Sequence, residues 1–355
     1  MARPMSMASR RARQMPIAIA PREAWYPLAS SSDVGGLSAV DALGTAIALY
    51  RTSDGTAIAL EDCCAHRPYP LSHGQLLGDI VRCGLCGFEY APTGECVRVP
   101  TQERVPVGAA VRAFPVREDH GVTWVWFGEP GRARLHRIPD VQWLVSEPWV
   151  TVGGHQHVAA NYLLLHESLA DVTKIPVLAP EMAPAALEAT PPPLDVVVTE
   201  TTVSLSRQYP PTVLPGWQAD ALGVHAEREY VHMQEGHFHS PAVWVDHWDV
   251  SNDQERHRMR FTHLMTPVDA RTTRLSWYVS RDFATGDDRT SERLLGMFQA
   301  YYRRLGTALE HTQRLLDREP RRREVSVSAD AAALRVRDIV RDMLAEEGTA
   351  TSRRS

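Results

Sequence analysis

The sequence has 355 residues, of which 44% are apolar and 23% charged, as in an ordinary globular chain long enough for two domains. A net charge of −5 and a pI near 6.3 give no reason to expect nucleic acid or an anionic membrane as a partner, and no apolar run approaches the roughly 18 residues that span a bilayer. Five cysteines, four of them between Cys63 and Cys86, favour a metal site in a reducing cytoplasm over a disulfide framework.

The two ends of the chain differ in composition from the rest. The first twenty residues carry four arginines and no acidic residue, and their apolar run from Ile17 to Ala20 is too short for a secretory signal. We therefore predict a disordered leader over residues 1–21 and a flexible tail over residues 347–355.

Short alternating segments bounded by glycine turns follow the leader. Residues 45–50 and 57–60 alternate apolar and small residues on either side of an Asp54-Gly55 turn, which predicts a β-hairpin. Residues 111–116 and 122–127 read as two further strands. These patterns predict a small β-sandwich over residues 22–130.

Four candidate metal ligands lie in two short loops of this first domain. Cys64 and His66 form one pair, and Cys83 and Cys86 form the other. Only one or two residues separate the members of each pair, so a single tight turn can direct both side chains at one metal centre. Three thiolates and one imidazole can hold a [2Fe-2S] cluster, and they are equally a closed tetrahedral zinc site. A metal-free relic of such a site is the third interpretation.

After a link rich in Pro, Gly and Arg, the second half begins with a helix predicted from Asn161 to about Lys174. A Pro-rich loop follows, from Ile175 to Pro193. Strands are then predicted around residues 194–208, 224–235, 241–251, 257–267 and 273–282, before a helix near 290–316 and another near 331–346.

The ligand motif and the order of elements resemble the Rieske non-haem iron oxygenases, especially the branch with vanillate demethylase and dicamba monooxygenase. Residues 64–68, Cys-Ala-His-Arg-Pro, and residues 87–90, Gly-Phe-Glu-Tyr, carry the likeness to the family, although Cys86 stands where the family has its second cluster histidine. Residues 24–28, Ala-Trp-Tyr-Pro-Leu, and residues 124–127, Trp-Val-Trp-Phe, carry the likeness to this branch. The resemblance implies an α+β fold, with an N-terminal Rieske β-sandwich over residues 22–130 and a START-like helix-grip domain over residues 131–346. It also implies a homotrimer in which one subunit's cluster serves the next subunit's iron.

The same resemblance indicates a missing metal site. The family holds its mononuclear iron with two histidines and a carboxylate, and these positions correspond to Lys174, Ala179 and Leu305. An ammonium group repels a cation, and the alanine and leucine side chains have no lone pair to donate. No mononuclear iron is therefore expected, and no redox partner is required without it.

Several polar and aromatic residues are candidates for chemistry in this domain. Lys174 has two interpretations, a structural ion pair with Asp171 or a fixed cation that donates to the substrate. His166 and Glu167 are general acid or base candidates on the same helix, although either is also a common structural group. On the strand 241–251, Trp244 and Trp248 share one face and His247 the other. The predicted catalytic residues are Lys174, His166, Glu167 and His247, and the predicted substrate-binding residues are Tyr162, Trp244, Trp248, His263 and Trp277.

Three functions remain open from the sequence. The first is a non-redox enzyme, for instance a cyclase that performs a [4+2] cycloaddition on an apolar, polyketide-like molecule of secondary metabolism. The second is a Rieske monooxygenase or demethylase whose iron has atypical ligands. The third is a non-catalytic subunit or ligand-binding protein. An apolar small molecule is the expected partner, and the third function also predicts an obligate protein partner.

Overall fold

The computed structural model describes residues 20–187 and 190–352. Most of the predicted leader lies outside these residues. Within the part of the chain described, no helix is both long enough and apolar enough to cross a membrane.

The N-terminal half consists of short strands in three antiparallel sheets. The strands are β1 (Trp25–Ser30), β2 (Ser38–Ala42), β3 (Thr45–Arg51), β4 (Ala57–Glu61), β5 (Gln75–Leu77), β6 (Ile80–Arg82), β7 (Glu89–Tyr90), β8 (Cys96–Arg98), β9 (Ala113–Phe114), β10 (Val116–Asp119) and β11 (Val122–Trp126). The sheets have the orders β1-β11-β10, β2-β3-β4-β9 and β5-β6-β7-β8. Buried tryptophans of β11, Trp124 and Trp126, pack the first sheet, and the predicted β-sandwich is confirmed.

The C-terminal half is one large antiparallel sheet with helices on one side. Its elements are β12 (Val150–Val158), α1 (Tyr162–Leu169), α2 (Ile175–Leu178), β13 (Asp195–Val198), β14 (Val203–Val213), α3 (Gly216–Leu222), β15 (Glu229–Ser240), β16 (Val243–Ser251), β17 (Arg256–Asp269), β18 (Thr272–Arg281), α4 (Asp288–Arg318) and α5 (Ala331–Ser352). The seven strands follow the order β12-β18-β17-β16-β15-β14-β13.

The long helix α4 lies against this sheet, as the predicted helix-grip arrangement requires. Phe298, Tyr302 and Leu305 recur at three- and four-residue spacing on α4, and all three are buried, so one face of the helix covers the inner face of the sheet. The predicted α+β fold is thus confirmed. The division at residues 130 and 131 stays a prediction, since β11 ends at Trp126 and β12 begins at Val150.

The helix predicted to run from Asn161 to Lys174 is shorter than expected. Asn161 caps α1 by accepting a hydrogen bond from Leu163 N, but the helix ends at Leu169. Asp171 has an extended backbone, and its carboxylate accepts from Thr173 N at 2.9 Å. A side chain that bonds the backbone locally begins a new turn and ends the preceding helix. Residues 172–174 consequently form a separate 3₁₀ turn.

The final helix is longer than expected and is tied to the start of the chain. The flexible tail was predicted from residue 347, whereas α5 continues to Ser352. Glu347 accepts hydrogen bonds from Arg22 N at 2.9 Å and from Glu23 N at 2.8 Å. Residues 353–355 of the predicted tail lie outside the described residues.

Glu167 and Arg337 join α1 to α5 through a two-pronged ion pair. Both side chains are about 15% exposed. The variant E167Q should lower the free energy of unfolding by about 1–3 kcal/mol, because it leaves the guanidinium less well paired in a partly buried site. Urea unfolding measures this, with E292Q on the exposed face of α4 as the control. Equal stabilities for the two variants would contradict the assignment.

Candidate active site and metal centre

The two cysteine-bearing loops of the N-terminal half converge in the structure. The sulfurs of Cys64, Cys83 and Cys86 all lie within 4.8 Å of one another, and Cys64 Sγ is 3.5 Å from Cys86 Sγ. Tyr90 Oη lies 3.1 Å from Cys64 Sγ. Burial raises the pKa of the Cys64 thiol, but hydrogen bonds from Tyr90 and from nearby backbone N–H groups together outweigh burial and lower this pKa. A lower pKa favours the thiolate, which is the form that metals bind.

The fourth predicted ligand, His66, does not share the close spacing of the three sulfurs. Its ring stacks on Phe88 with 4.9 Å between the centroids. A two-iron cluster divides its protein ligands between two metal atoms, so a ligand set apart from the others is compatible with one. The sulfurs around one tetrahedral zinc stand roughly 3.8 Å apart, close to the 3.5 Å between Cys64 Sγ and Cys86 Sγ. The three convergent cysteines therefore fit a cysteine-rich metal centre, and the role of His66 as its fourth ligand stays a prediction.

A separate cleft opens between the inner face of the large sheet, α4 and the turns after α1. Its volume is about 760 Å³ including its open mouth. Most of its wall is apolar and consists of Ile175, Met182, Trp217, Trp248, Phe261 and Phe298. Such a lining fits an apolar small molecule, with a few polar groups left to orient it.

Lys174 is one of these polar groups, and it is the sole lysine of the sequence. The turn after α1 holds its ammonium, because Nζ donates to the carbonyl oxygens of Ser168 and, at 2.6 Å, of Asp171. Two of its three hydrogens are thereby used, and the third can serve the cleft. Desolvation lowers the pKa of Lys174 to about 8, although Asp171 and Asp246 oppose the shift.

The ion pair predicted between Asp171 and Lys174 is not formed. The Asp171 carboxylate instead accepts from Thr173 N and Thr173 Oγ1, and Lys174 binds the backbone oxygen of Asp171. The expectation rested on an unbroken helix, whereas the chain leaves helical geometry at Asp171.

Asp246 lines the same cleft from the middle of β16. Its Oδ1 accepts from Trp244 Nε1 at 2.9 Å. Burial raises the pKa of Asp246 to about 7, against the smaller opposing effects of the Trp244 hydrogen bond and Lys174. The carboxyl group therefore exchanges its proton near neutral pH, in the range that suits a general acid or base.

A histidine and a tyrosine extend this polar group into the core. His263 Nδ1 lies 3.3 Å from Trp244 O and 3.8 Å from Asp246 Oδ2, and its Nε2 lies 2.8 Å from Tyr302 Oη. Two acceptors beside Nδ1 favour a proton on that nitrogen, so Nε2 accepts from Tyr302. Burial lowers the pKa of His263 to about 3, and the ring is neutral.

The predicted site residues are only partly brought together. Lys174, Trp248 and His263 line the cleft. Trp244 and Trp277 are fully buried behind it, where Trp277 stacks on Tyr302 at 4.7 Å. Tyr162 is a core residue as well. Their roles as catalytic or binding residues stay predictions.

The other predicted catalytic residues lie away from the cleft. His166 is fully buried, and its Nε2 is 3.0 Å from Pro241 O. Burial lowers the pKa of His166 to about 4. Glu167 is occupied by Arg337. His247 is on the opposite face of β16, where its Nδ1 is 3.0 Å from Glu235 Oε2.

Sequence reasoning missed Asp246, Tyr301 and Tyr302 as cleft residues. Asp246 alternates with Trp244 and Trp248 along β16, so the same period of two that grouped the tryptophans also places it on their face. The two tyrosines belong to α4, and no motif marks them. Only the position of the helix over the sheet identifies them.

The donors at the positions implied for mononuclear iron do not fit that metal. Ala179 and Leu305 are buried core residues that do not line the cleft, and Lys174 is a cation near neutral pH. Among residues 20–187 and 190–352, two groups of three convergent His, Cys or acidic side chains occur. One is the cysteine group, the other is Glu235, His237 and His247, and neither lines the cleft.

Both halves of the chain are similar to known protein domains. Residues 24–115 match the Rieske [2Fe-2S] domain, and residues 158–346 match the vanillate O-demethylase oxygenase C-terminal domain. A putative toluene-4-sulfonate monooxygenase system iron-sulfur subunit of Comamonas testosteroni is 27% identical over 93% of this chain and 99% of its own length.

Two further similarities involve dicamba. The oxygenase component of dicamba O-demethylase from Stenotrophomonas maltophilia is 38% identical over 42% of this chain and 45% of its own length. A crystal structure of dicamba monooxygenase bound to 3,6-dichlorosalicylic acid superposes with a TM-score of 0.86 at 26% identity, covering 92% of this chain and 98% of the other.

The cysteine group makes a direct prediction about metal content. C83S should lose the metal of the N-terminal half, because one of three convergent thiolates is removed. C96S is the matched control, since Cys96 is buried in the same half and contacts Arg98 O. Metal and sulfide analysis of protein purified without oxygen measures the loss. Equal metal in both variants would contradict the assignment.

Asp246 makes a prediction about the pH dependence of stability. Its folded pKa is about 7, above the ordinary 3.8, so the folded state binds more protons than the unfolded state between these values. Asp246 therefore reduces stability as pH rises from about 4 to 7, with a slope of at most about 1.4 kcal/mol per pH unit. D246N should remove this component in urea unfolding across that range, whereas D253N, at an exposed turn, should not. A D246N effect that is constant with pH would refute the assignment.

Proposed function

We propose that this chain, which belongs to the Rieske non-haem iron oxygenase family, differs from that family in its chemistry. It is a non-redox enzyme that binds an apolar small molecule in the cleft. The family's Rieske domain implies a [2Fe-2S] cluster, which supplies one-electron transfer when bound. The observation that carries the proposal is that the side chains at the three positions implied for the family's iron ligands do not fit iron. Lys174 stands at a position that the family gives to an iron ligand, while Ala179 and Leu305 are buried without any donor atom.

The cleft supports reactions that need substrate folding and one or two polarising groups. The aromatic walls of the cleft can bind an extended apolar chain in a compact conformer. Holding the reacting groups close together lowers the entropic barrier to an intramolecular reaction. Lys174 offers a hydrogen to a carbonyl oxygen, and protonated Asp246 offers another. A donor placed where negative charge develops lowers the barrier further.

A ring closure uses all of these properties. In a [4+2] cycloaddition within one folded substrate, the two π bonds of a diene and the one π bond of an alkene are converted into two carbon–carbon σ bonds and one new π bond. No atom is gained or lost, and no oxidant or reductant takes part. A hydrogen bond from Lys174 to a carbonyl on the alkene partner makes that alkene more electron-poor and speeds the reaction. We therefore propose a cyclase acting on a polyketide-like chain, in which no redox partner is needed.

The test uses the full-length protein under anaerobic conditions with a metal chelator. Linear polyenes that carry a conjugated carbonyl are incubated with the protein, and mass spectrometry follows the conversion. The proposal expects an isomeric product of unchanged mass, formed at a rate at least tenfold lower with K174M, which removes the donor but keeps much of the side-chain volume. The control H225Q alters an exposed histidine outside the cleft and should retain the wild-type rate.

A second candidate, a monooxygenase or demethylase with atypical iron ligands, is favoured by the toluene-4-sulfonate monooxygenase relative, which matches over 99% of its own length. That candidate requires O₂ and a reductant, and its product has either gained an oxygen atom or lost an alkyl group. Turnover that occurs solely with O₂ and reductant would support this candidate and contradict the cyclase.

A further inference from the structure

Three potential metal ligands cluster on the outer face of the large sheet. Glu235 and His237 belong to β15, and Glu235 pairs directly with His247 of β16. Side chains two residues apart on a strand share a face, as do directly paired residues on neighbouring strands. The three side chains therefore project together from the face opposite the cleft, since Asp246, the neighbour of His247, lines the cleft.

The distances among these side chains suit one ion. Glu235 Oε2 lies 3.0 Å from His247 Nδ1 and 3.8 Å from His237 Nε2, and one ligand atom from each residue can be chosen so that all lie within 4.8 Å. With bonds of about 2.0–2.2 Å, adjacent ligand atoms on one ion stand roughly 3.0–3.6 Å apart. Small side-chain rotations close the remaining gap.

One histidine nitrogen that faces the cluster has no partner. His237 Nε2 lies on the Glu235 side of its ring and is buried without a hydrogen-bond partner among the described residues, whereas His247 faces Glu235 with Nδ1. Buried polar atoms normally have partners, so an unpaired nitrogen indicates an unseen one. His237 Nδ1 lies 3.1 Å from Ser204 Oγ. When Nδ1–H donates to that oxygen, Nε2 carries the lone pair that a metal requires.

The surroundings keep the imidazoles neutral and the site accessible. Burial lowers the pKa of His237, and it is also the largest cause that lowers the pKa of His247 to about 4. Arg260 is the nearby cation, and its guanidinium is engaged by Asp249 Oδ1 at 2.5 Å. The His237 and His247 side chains are each 21% exposed and that of Glu235 is 39% exposed, so an ion can enter and keep water ligands.

We propose that Glu235, His237 and His247 bind a divalent transition-metal ion of the zinc class on the outer face of the sheet. Two imidazoles and one carboxylate are a common ligand set for such ions. The site is separate from both the cysteine group and the cleft. Ser204 acts as a positioning residue through His237.

The test measures Zn²⁺ binding to the full-length protein by competition with a chromophoric chelator. Wild-type protein and C83S should both bind one equivalent that H237Q and H247Q lack. S204A should retain this equivalent with an affinity reduced about 10- to 100-fold, because only the orientation of His237 is affected. H225Q, at an exposed loop histidine, should bind as the wild type does.

Circular dichroism establishes that each variant is folded, and S204A keeps the test informative if a histidine variant is not. Zinc stoichiometry and affinity that are unchanged in H237Q, H247Q and S204A would overturn the proposal. So would a wild-type protein whose zinc binding is abolished entirely by C83S.

Discussion

The cleft depends on how a short turn holds one ammonium group. Asp171 ends the preceding helix by bonding Thr173, and the chain then places Lys174 where its Nζ reaches the carbonyl oxygens of Ser168 and Asp171. Two backbone carbonyls fix the direction of the side chain without neutralising its charge. A fixed cation in a largely apolar cleft acts more strongly on a bound carbonyl than it would in water, because less solvent screens it.

The large sheet serves different chemistry on its two faces. Asp246 and Trp248 are two residues apart on β16, and both face the cleft. His247 lies between them and faces outward. The inner face is covered by α4 and is mainly apolar. The outer face carries charged and imidazole groups. Strand β16 thus contributes side chains both to the cleft and to the cluster on the outer face, and these side chains lie on opposite sides of the sheet.

Much of the fold follows from local patterns in the sequence. Alternation along residues 241–251 correctly separated Trp244 and Trp248 from His247, and the spacing of Cys64, Cys83 and Cys86 predicted their convergence. The resemblance to Rieske oxygenases correctly gave the order of the two halves.

The failures arose where distant segments meet or local bonding overrides periodicity. The helical pattern before Lys174 concealed the turn at Asp171, although Asp is a residue that often begins a new helical turn by capping it. His166 and Glu167 were predicted to be general acid or base groups, yet they are bound by Pro241 and Arg337, which are remote in sequence. Likewise, the cluster of Glu235, His237 and His247 depends on the pairing register of β15 and β16, which the sequence does not reveal.

We propose that the cleft acts through Lys174 and Asp246 rather than through a mononuclear iron. Anomalous diffraction at the iron edge, from crystals grown without oxygen in the presence of Fe²⁺, distinguishes the two possibilities. No anomalous density is expected in the cleft between Lys174 and the helix carrying Tyr301 and Leu305. A single strong peak there, within bonding distance of protein atoms, would contradict it.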